Sequence, residues 1–501
     1  MGTPPLIGDP ATLGEALRAA AEQFGDREAY VDGFQRISFA GWVAAAGGLA
    51  VELADRGVRR GNVVALMLPS SIDYAVCYAA IASLGAVTTG LNTRLGVNEV
   101  TAVLATAAPA LVIRDTEAGL PEVPEGIPVM ARSELAAACL RRPGGGPAPD
   151  VDPADPVVVI WTSGTTGVPK GAWFDHRNLA AAARSAGVMS APFDRRLVAT
   201  PFAHAGYMAK LWDQLAWGIT MVVGTVPWSA AEMAQVLIDE RITVAGGVPT
   251  QWSKLLEQPH LAGRRLEHLR VGIAATAPAA PELVERVADL LGVPLVVRYA
   301  MTESPSICGT EPTDPPEVQA RTVGRPQAGV QVRVVDDDGG PVATETVGRV
   351  QVRGDCVMRG YWRAPELTAQ VLGDDGWLRS GDLGRLTAEG NLVLVGRSGD
   401  MYIRGGYNVY PLEVENVLAD HPAVARVAVV GVPAPVIGEI GVAFVVPADP
   451  AAAPTREELR VWVRGHLADY KAPDRVETVP DLPLTAMQKI DKLALRELAL
   501  G

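Results

Sequence analysis

The sequence predicts an α/β protein of at least two domains, on three observations. Its 501 residues exceed the ~250–300 residues at which a single hydrophobic core stops growing. Segments with helical apolar spacing alternate with short apolar runs of strand type from the start of the chain to about residue 300, the signature of layered α/β architecture. Beyond about residue 330 the texture changes to short strands separated by tight turns.

Taken in order, residues 12–24 and 39–56 carry apolar side chains at helical spacing, and 63–68 reads as a buried strand. The long uncharged stretch 74–91 approaches membrane-spanning length but is broken by Gly85, Gly90 and small polar residues, so it reads as a buried helix running into a strand. Residues 142–156 are dense in Gly, Pro and Asp and form a loop before a strand at 157–161. Helix then strand recurs at 231–240 and 243–246, and again at 281–291 and 295–297. Strands at 330–335 and 347–352 flank a turn at 336–340. A compact α+β tail follows Arg397, with a helix near 413–419, a strand at 424–430, a helix at 456–468 and a terminal loop rich in Pro, Thr and Lys. No internal repeat is found, and the Ala-rich pieces read as helix faces.

Composition excludes several classes. With 48% apolar and 20% charged residues, the chain can bury enough surface to offset its conformational entropy, unlike a disordered or collagen-like sequence. Lys and Arg number 44 against 57 Asp and Glu, and the basic residues stand singly or in pairs, so no footprint for a nucleic acid is present. The four cysteines form no Cys-x-x-Cys, which points away from zinc knuckles and disulfide frameworks and toward a reducing cytoplasm. The first residues lack the basic and apolar regions of a signal peptide. A membrane span is not expected; monomer and homodimer both remain open.

The most informative segment is Thr162-Ser163-Gly164-Thr165-Thr166-Gly167-Val168-Pro169-Lys170, following the strand at 157–161. Its glycines let backbone N–H groups turn toward an anion, its hydroxyls add donors, and Lys170 supplies positive charge, a combination suited to phosphate. A Walker A loop requires Gly directly before Lys, and none of the lysines has one.

This loop resembles that of the adenylate-forming superfamily, which comprises acyl-CoA synthetases, luciferases and free-standing adenylation domains. The likeness continues in order through Thr276-Ala277-Pro278, Tyr299-Ala300-Met301-Thr302-Glu303, Trp377 to Leu383, Gly396 to Asp400, Ile403 to Pro411, and Leu482 to Lys492. The resemblance implies a large N-terminal domain, 1–398, of two α/β-layered sheets plus a distorted β-barrel. A small mobile α+β domain, 399–501, would turn about Gly399. It implies ATP, Mg²⁺ and coenzyme A as cofactors and a carboxylic acid as substrate. In this reading Thr162, Ser163, Gly164, Thr165, Thr166 and Lys170 hold phosphates. Thr276, Ala277, Pro278 and Tyr299 border the adenine, Thr302 contacts the α-phosphate, and Glu303 holds the metal. Asp382 grips the ribose hydroxyls, a task suited to a group that accepts two hydrogen bonds, and Arg397 contacts the nucleotide. Lys489 is the adenylation lysine, and the Gly405-Gly406 turn borders the thiol's approach.

The implied acyl pocket includes Tyr207, Gly247, Ala275, Arg298, Ala300 and Met301. His204 matches a position near the acyl site, and a purely structural His fits equally. Arg298 reads either as the partner of a second substrate carboxylate or as half of a structural ion pair. Residues 201–210 contain no Asp to hold an α-ammonium, which disfavours an amino acid. The sequence departs from the family pattern at Ala300, at Met487-Gln488 and at Gly399. The expected activity is ATP-dependent formation of an acyl-adenylate followed by acyl transfer to coenzyme A. The competing classes are a ligase that loads a carrier protein and a catalytically weakened nucleotide-binding protein.

Overall fold

A computed structural model describes residues 6–116, 119–142, 150–162, 169–198, 200–225, 228–275, 281–485 and 490–500. The first helix, Leu13–Phe24, starts where a capping box allows it: the Thr12 side chain accepts from the Glu15 N–H, and the Glu15 carboxylate accepts from the Thr12 N–H. Ser38 caps Phe39–Asp55 through one bond, its hydroxyl oxygen accepting from the Gly41 N–H. The uncharged stretch resolves as helix Ile72–Ser83 and strand Val87–Gly90, both almost wholly buried. No helix among the described residues is long and apolar enough to cross a membrane.

Two large sheets organise the N-terminal part. One has nine strands, of which six, from Leu295–Met301 through Val271–Ala275, Val244–Gly247, Arg195–Val198 and Thr220–Val223 to Glu28–Asp32, are mutually parallel. The other has seven, with Pro156–Thr162, Val87–Gly90, Val63–Met67, Leu111–Arg114 and Val129–Ala131 parallel. A single apolar cluster containing Tyr30, Leu66, Tyr78 and Ile160 joins the two sheets. A second, with Leu197, Trp252 and Val287, covers another face of the nine-stranded sheet. Burial on both faces is why these strands read as continuous apolar runs.

The strands expected beyond residue 330 are present as Val330–Val335 and Gly348–Gly354, joined with Leu378–Leu386 and Leu392–Arg397 in a four-stranded antiparallel sheet. Where a distorted barrel was expected, the edge strands Val330–Val335 and Leu392–Arg397 do not pair with each other. A smaller α+β unit follows, a five-stranded sheet with Val414, Val429 and Leu459 in one apolar cluster and Val430, Phe444 and Leu495 in another. The terminal segment expected as a loop continues into a helix, Lys492–Leu500, with Leu495 and Ala499 buried. Its leucines at 493, 498 and 500 are exposed, so its apolar residues mark no single face.

Candidate active site

The phosphate-binding motif lies on an antiparallel hairpin. Strand Pro156–Thr162 pairs with Lys170–Asp175 so that Thr162 stands opposite Lys170, and the connecting segment leaves and returns at these two residues. Ser163, Gly164, Thr165 and Thr166 lie outside the described residues. The hairpin is packed tightly just below its tip: a Cβ on Gly171 would approach Val159 Cγ1 to 2.6 Å, and Trp161 Nε1 donates to Thr89 Oγ1 at 2.6 Å.

A second hairpin joins Leu295–Met301 to Ser304–Gly309, with Met301 opposite Ser304. Thr302 and Glu303 therefore occupy its tip. Glu303 is buried, and its Oε1 accepts from the Tyr361 hydroxyl at 2.7 Å. The Tyr361 ring lies 5.6 Å from Lys170 Nζ, within cation–π range. One tyrosine thus links the tips of the two hairpins. The sequence reading missed it, because the Gly-Tyr dipeptide carries no signal of a partner 58 residues away.

Four residues before Glu303, Tyr299 is buried and donates its hydroxyl to Asp382 Oδ2. Burial pushes the Tyr299 phenol well above its ordinary pKa, and the charge of Asp382 adds to this, so the hydroxyl stays a donor. Asp382 Oδ1 accepts from Arg397 Nε at 2.9 Å. Asp382 sits opposite Arg397 in the antiparallel register of Leu378–Leu386 and Leu392–Arg397. Three of the residues assigned to the nucleotide, Tyr299, Asp382 and Arg397, are brought together.

Around Gly399, the expected hinge, the chain is hydrogen-bonded on both sides, with the Asp400 and Met401 N–H groups donating to the Arg397 carbonyl at 3.1 and 3.2 Å. The Ser398 N–H and hydroxyl both donate to the Gly381 carbonyl, at 3.0 and 3.1 Å. Gly399 has no positive φ, and a Cβ there would meet nothing within 4 Å, so this arrangement does not require glycine. Gly405 and Gly406 form the exposed turn between Tyr402–Arg404 and Tyr407–Val409, with φ of +57° and +87°, a conformation that favours glycine.

The remaining candidates are scattered in role. His204 caps the short helix Ala205–Met208, its Nδ1 accepting from the Gly206 N–H at 3.2 Å. Tyr207, expected as a pocket wall, is built into the core, stacked on Phe202 at 3.7 Å with its hydroxyl 2.8 Å from that of Tyr30. Arg298 donates to the Thr310 carbonyl at 3.0 Å and stands 3.6 Å from Glu311; the structure gives it the intramolecular partners of the structural reading. Gly247 ends its strand half-buried, Met301 is half-buried and Ala300 is exposed. Thr276, Ala277, Pro278, Lys489 and the side chain of Ala275 lie outside the described residues. Among the described residues no three His, Cys, Asp or Glu side chains converge. Glu303 is the carboxylate that the sequence reading assigns to the metal, and a single carboxylate suits a magnesium whose other ligands are phosphates and water.

Comparison with known proteins gives the family of the chain. The family described as AMP-binding enzyme matches residues 17–362, and that described as AMP-binding enzyme C-terminal domain matches residues 413–489. The chain is 33% identical to the 3-[(3aS,4S,7aS)-7a-methyl-1,5-dioxo-octahydro-1H-inden-4-yl]propanoyl:CoA ligase of Rhodococcus jostii, covering 98% of this chain and 99% of that protein. It is 36% identical to the feruloyl-CoA synthase of an Amycolatopsis species, over 89% and 91% of the two chains. Its fold is similar to that of ATP-bound MatB from Rhodopseudomonas palustris, with a TM-score of 0.86, 29% identity and coverage of 97% and 98%. The chain belongs to the AMP-binding, adenylate-forming enzyme family, and the two relatives named above are a CoA ligase and a CoA synthase.

Proposed function

We propose that the protein is an AMP-forming carboxylate–CoA ligase acting on a bulky cyclic or aryl acid. One observation carries the assignment of the site: a single hairpin, Leu295–Ser304 and onward, bears Tyr299 bonded to Asp382 and Glu303 linked through Tyr361 to Lys170. In this reading the ribose-binding Asp382, the metal-binding Glu303 and the phosphate-binding Lys170 meet around that hairpin, each contributed by a different sheet or hairpin tip. The names of the two relatives, one acting on a bicyclic propanoate and one on ferulate, support the substrate class.

In the first step a carboxylate oxygen attacks the α-phosphorus and pyrophosphate leaves, converting a poor acyl donor into a reactive mixed anhydride. Lys170 and the 162–170 segment hold the departing phosphates; Asp382 and Arg397 hold the ribose; Thr302 and Lys489 stabilise charge developing on the α-phosphate. Glu303 would hold magnesium, which when bound would supply further positive charge at the phosphates. In the second step the coenzyme A sulfur attacks the acyl carbonyl past the Gly405-Gly406 turn, and AMP leaves. A panel of cyclic, aryl, straight-chain and dicarboxylic acids, assayed for AMP and acyl-CoA together, tests this reading. Cyclic and aryl acids are expected to turn over fastest, and preference for a straight-chain or dicarboxylic acid would contradict the substrate class. The free thiols Cys77, Cys139, Cys308 and Cys356 fit a reducing, cytoplasmic setting.

The reading includes a domain rotation at Gly399, dividing the chain into 1–398 and 399–501. Ser398 is held to the Gly381 carbonyl by two hydrogen bonds, and the Asp400 and Met401 N–H groups donate to the Arg397 carbonyl at 3.1 and 3.2 Å, so a rotation at Gly399 has to open this turn. Gly399→Ala is compatible with the present φ and should fold normally. Gly399→Pro fixes φ near −65° and is expected to separate the half-reactions, preserving one and abolishing the other. Carboxylate-dependent pyrophosphate release and thioester formation from synthetic adenylate would be measured separately. Unchanged rates in both, in folded protein, would place the pivot elsewhere.

A further inference from the structure

We propose that Tyr361 is a positioning residue for the adenylation step: its hydroxyl fixes the Glu303 carboxylate toward magnesium while its ring supports Lys170. The proposal rests on the reading of Glu303 as the metal-holding group. Tyr361 and Glu303 are both buried, 6% and 9% exposed, and the 2.7 Å bond ties Oε1 alone. A carboxylate held at one oxygen presents the other in a defined direction, which matters where a hard cation demands near-ideal geometry.

The backbone around Tyr361 ties the same two hairpins independently of its side chain. Gly360 and Tyr361 pair with Trp173 and Ala172, the Trp362 N–H donates to the Gly171 carbonyl at 2.7 Å, and the Met358 N–H donates to the Glu303 carbonyl at 2.9 Å. Tyr361→Phe leaves these bonds and the ring beneath Lys170 in place and removes one oxygen. Its effect therefore reports the Glu303 contact and not the assembly of the site.

The test measures how magnesium concentration changes ATP affinity, by titration calorimetry on the full chain, for wild type, Tyr361→Phe and Glu303→Gln. Removing the outer partner of a metal ligand costs ~10–100-fold in metal affinity. The magnesium midpoint should rise by about 10-fold or more in Tyr361→Phe, while metal-free ATP affinity and thioester formation from synthetic adenylate stay at wild-type values. A midpoint that moves in Glu303→Gln but not in Tyr361→Phe overturns the proposal and leaves the Glu303 reading intact. A midpoint unmoved in both overturns the Glu303 reading and the proposal with it. Equal losses with and without magnesium in Tyr361→Phe would make the residue structural and overturn the proposal as well.

Discussion

Lys489→Ala is expected to lower carboxylate-dependent pyrophosphate release by about 10²–10³-fold, the loss that follows removal of one preorganised charge stabiliser, while thioester formation from supplied acyl-adenylate persists. The asymmetry follows from where charge develops. In adenylation, negative charge grows on the α-phosphate and the departing pyrophosphate, and a cation placed there acts in the transition state. Thiol attack on the adenylate expels AMP and has no separate need for the lysine. The neighbouring chain is well anchored: Leu484 bridges to Ile490, and the Asp491 N–H donates to the Pro483 carbonyl at 2.9 Å. The substitution should therefore leave the C-terminal unit folded. Rapid-quench measurement of each half-reaction checks the split, and equal loss in both, with the fold intact, would remove Lys489 from its assigned role.

Asp382→Ala is expected to raise the apparent KM for ATP by about 10–100-fold, because hydrogen bonds to a charged group are worth ~1.5–3 kcal/mol each and tenfold in affinity corresponds to ~1.4 kcal/mol. The same substitution strands the Tyr299 hydroxyl in a buried position and releases Arg397. An unpaired buried donor costs ~1–3 kcal/mol, so a fall in Tm should accompany the loss of affinity. Tyr299→Phe with Asp382→Ala separates the two effects: it removes the stranded hydroxyl and should recover part of the Tm without recovering ATP affinity. An unchanged KM for ATP, with occupancy established by calorimetry, would contradict the ribose assignment.

Much of the architecture was legible because burial leaves a periodic trace. Residues 74–91 read as a helix followed by a strand since nearly every side chain there is buried, and Val330–Val335 was bounded by its turn, where Asp336 Oδ1 accepts from the N–H groups of Asp338 and Gly340. The terminal helix Lys492–Leu500 was not legible, its apolar residues being split between a buried face and solvent. In the site, the order of motifs picked out Asp382 and Glu303, yet neither motif disclosed its partner. The Tyr299 bond spans 83 residues and the Tyr361 bond 58. Such pairs depend on strand order and register, which local sequence does not encode. Tyr207 shows the converse: placed by analogy in a pocket, it is held by Phe202 and Tyr30 in the core.

The central claim is that one site first makes an acyl-adenylate and then a coenzyme A thioester. It is tested most directly by incubating the protein with ATP, magnesium and the preferred acid of the panel, resolving nucleotides and acyl products before and after free coenzyme A is added. The account predicts enzyme-bound acyl-adenylate and pyrophosphate before addition, then acyl-CoA and AMP in equal amounts. ADP as the nucleotide product, or an adenylate that persists in the presence of free coenzyme A, would contradict it.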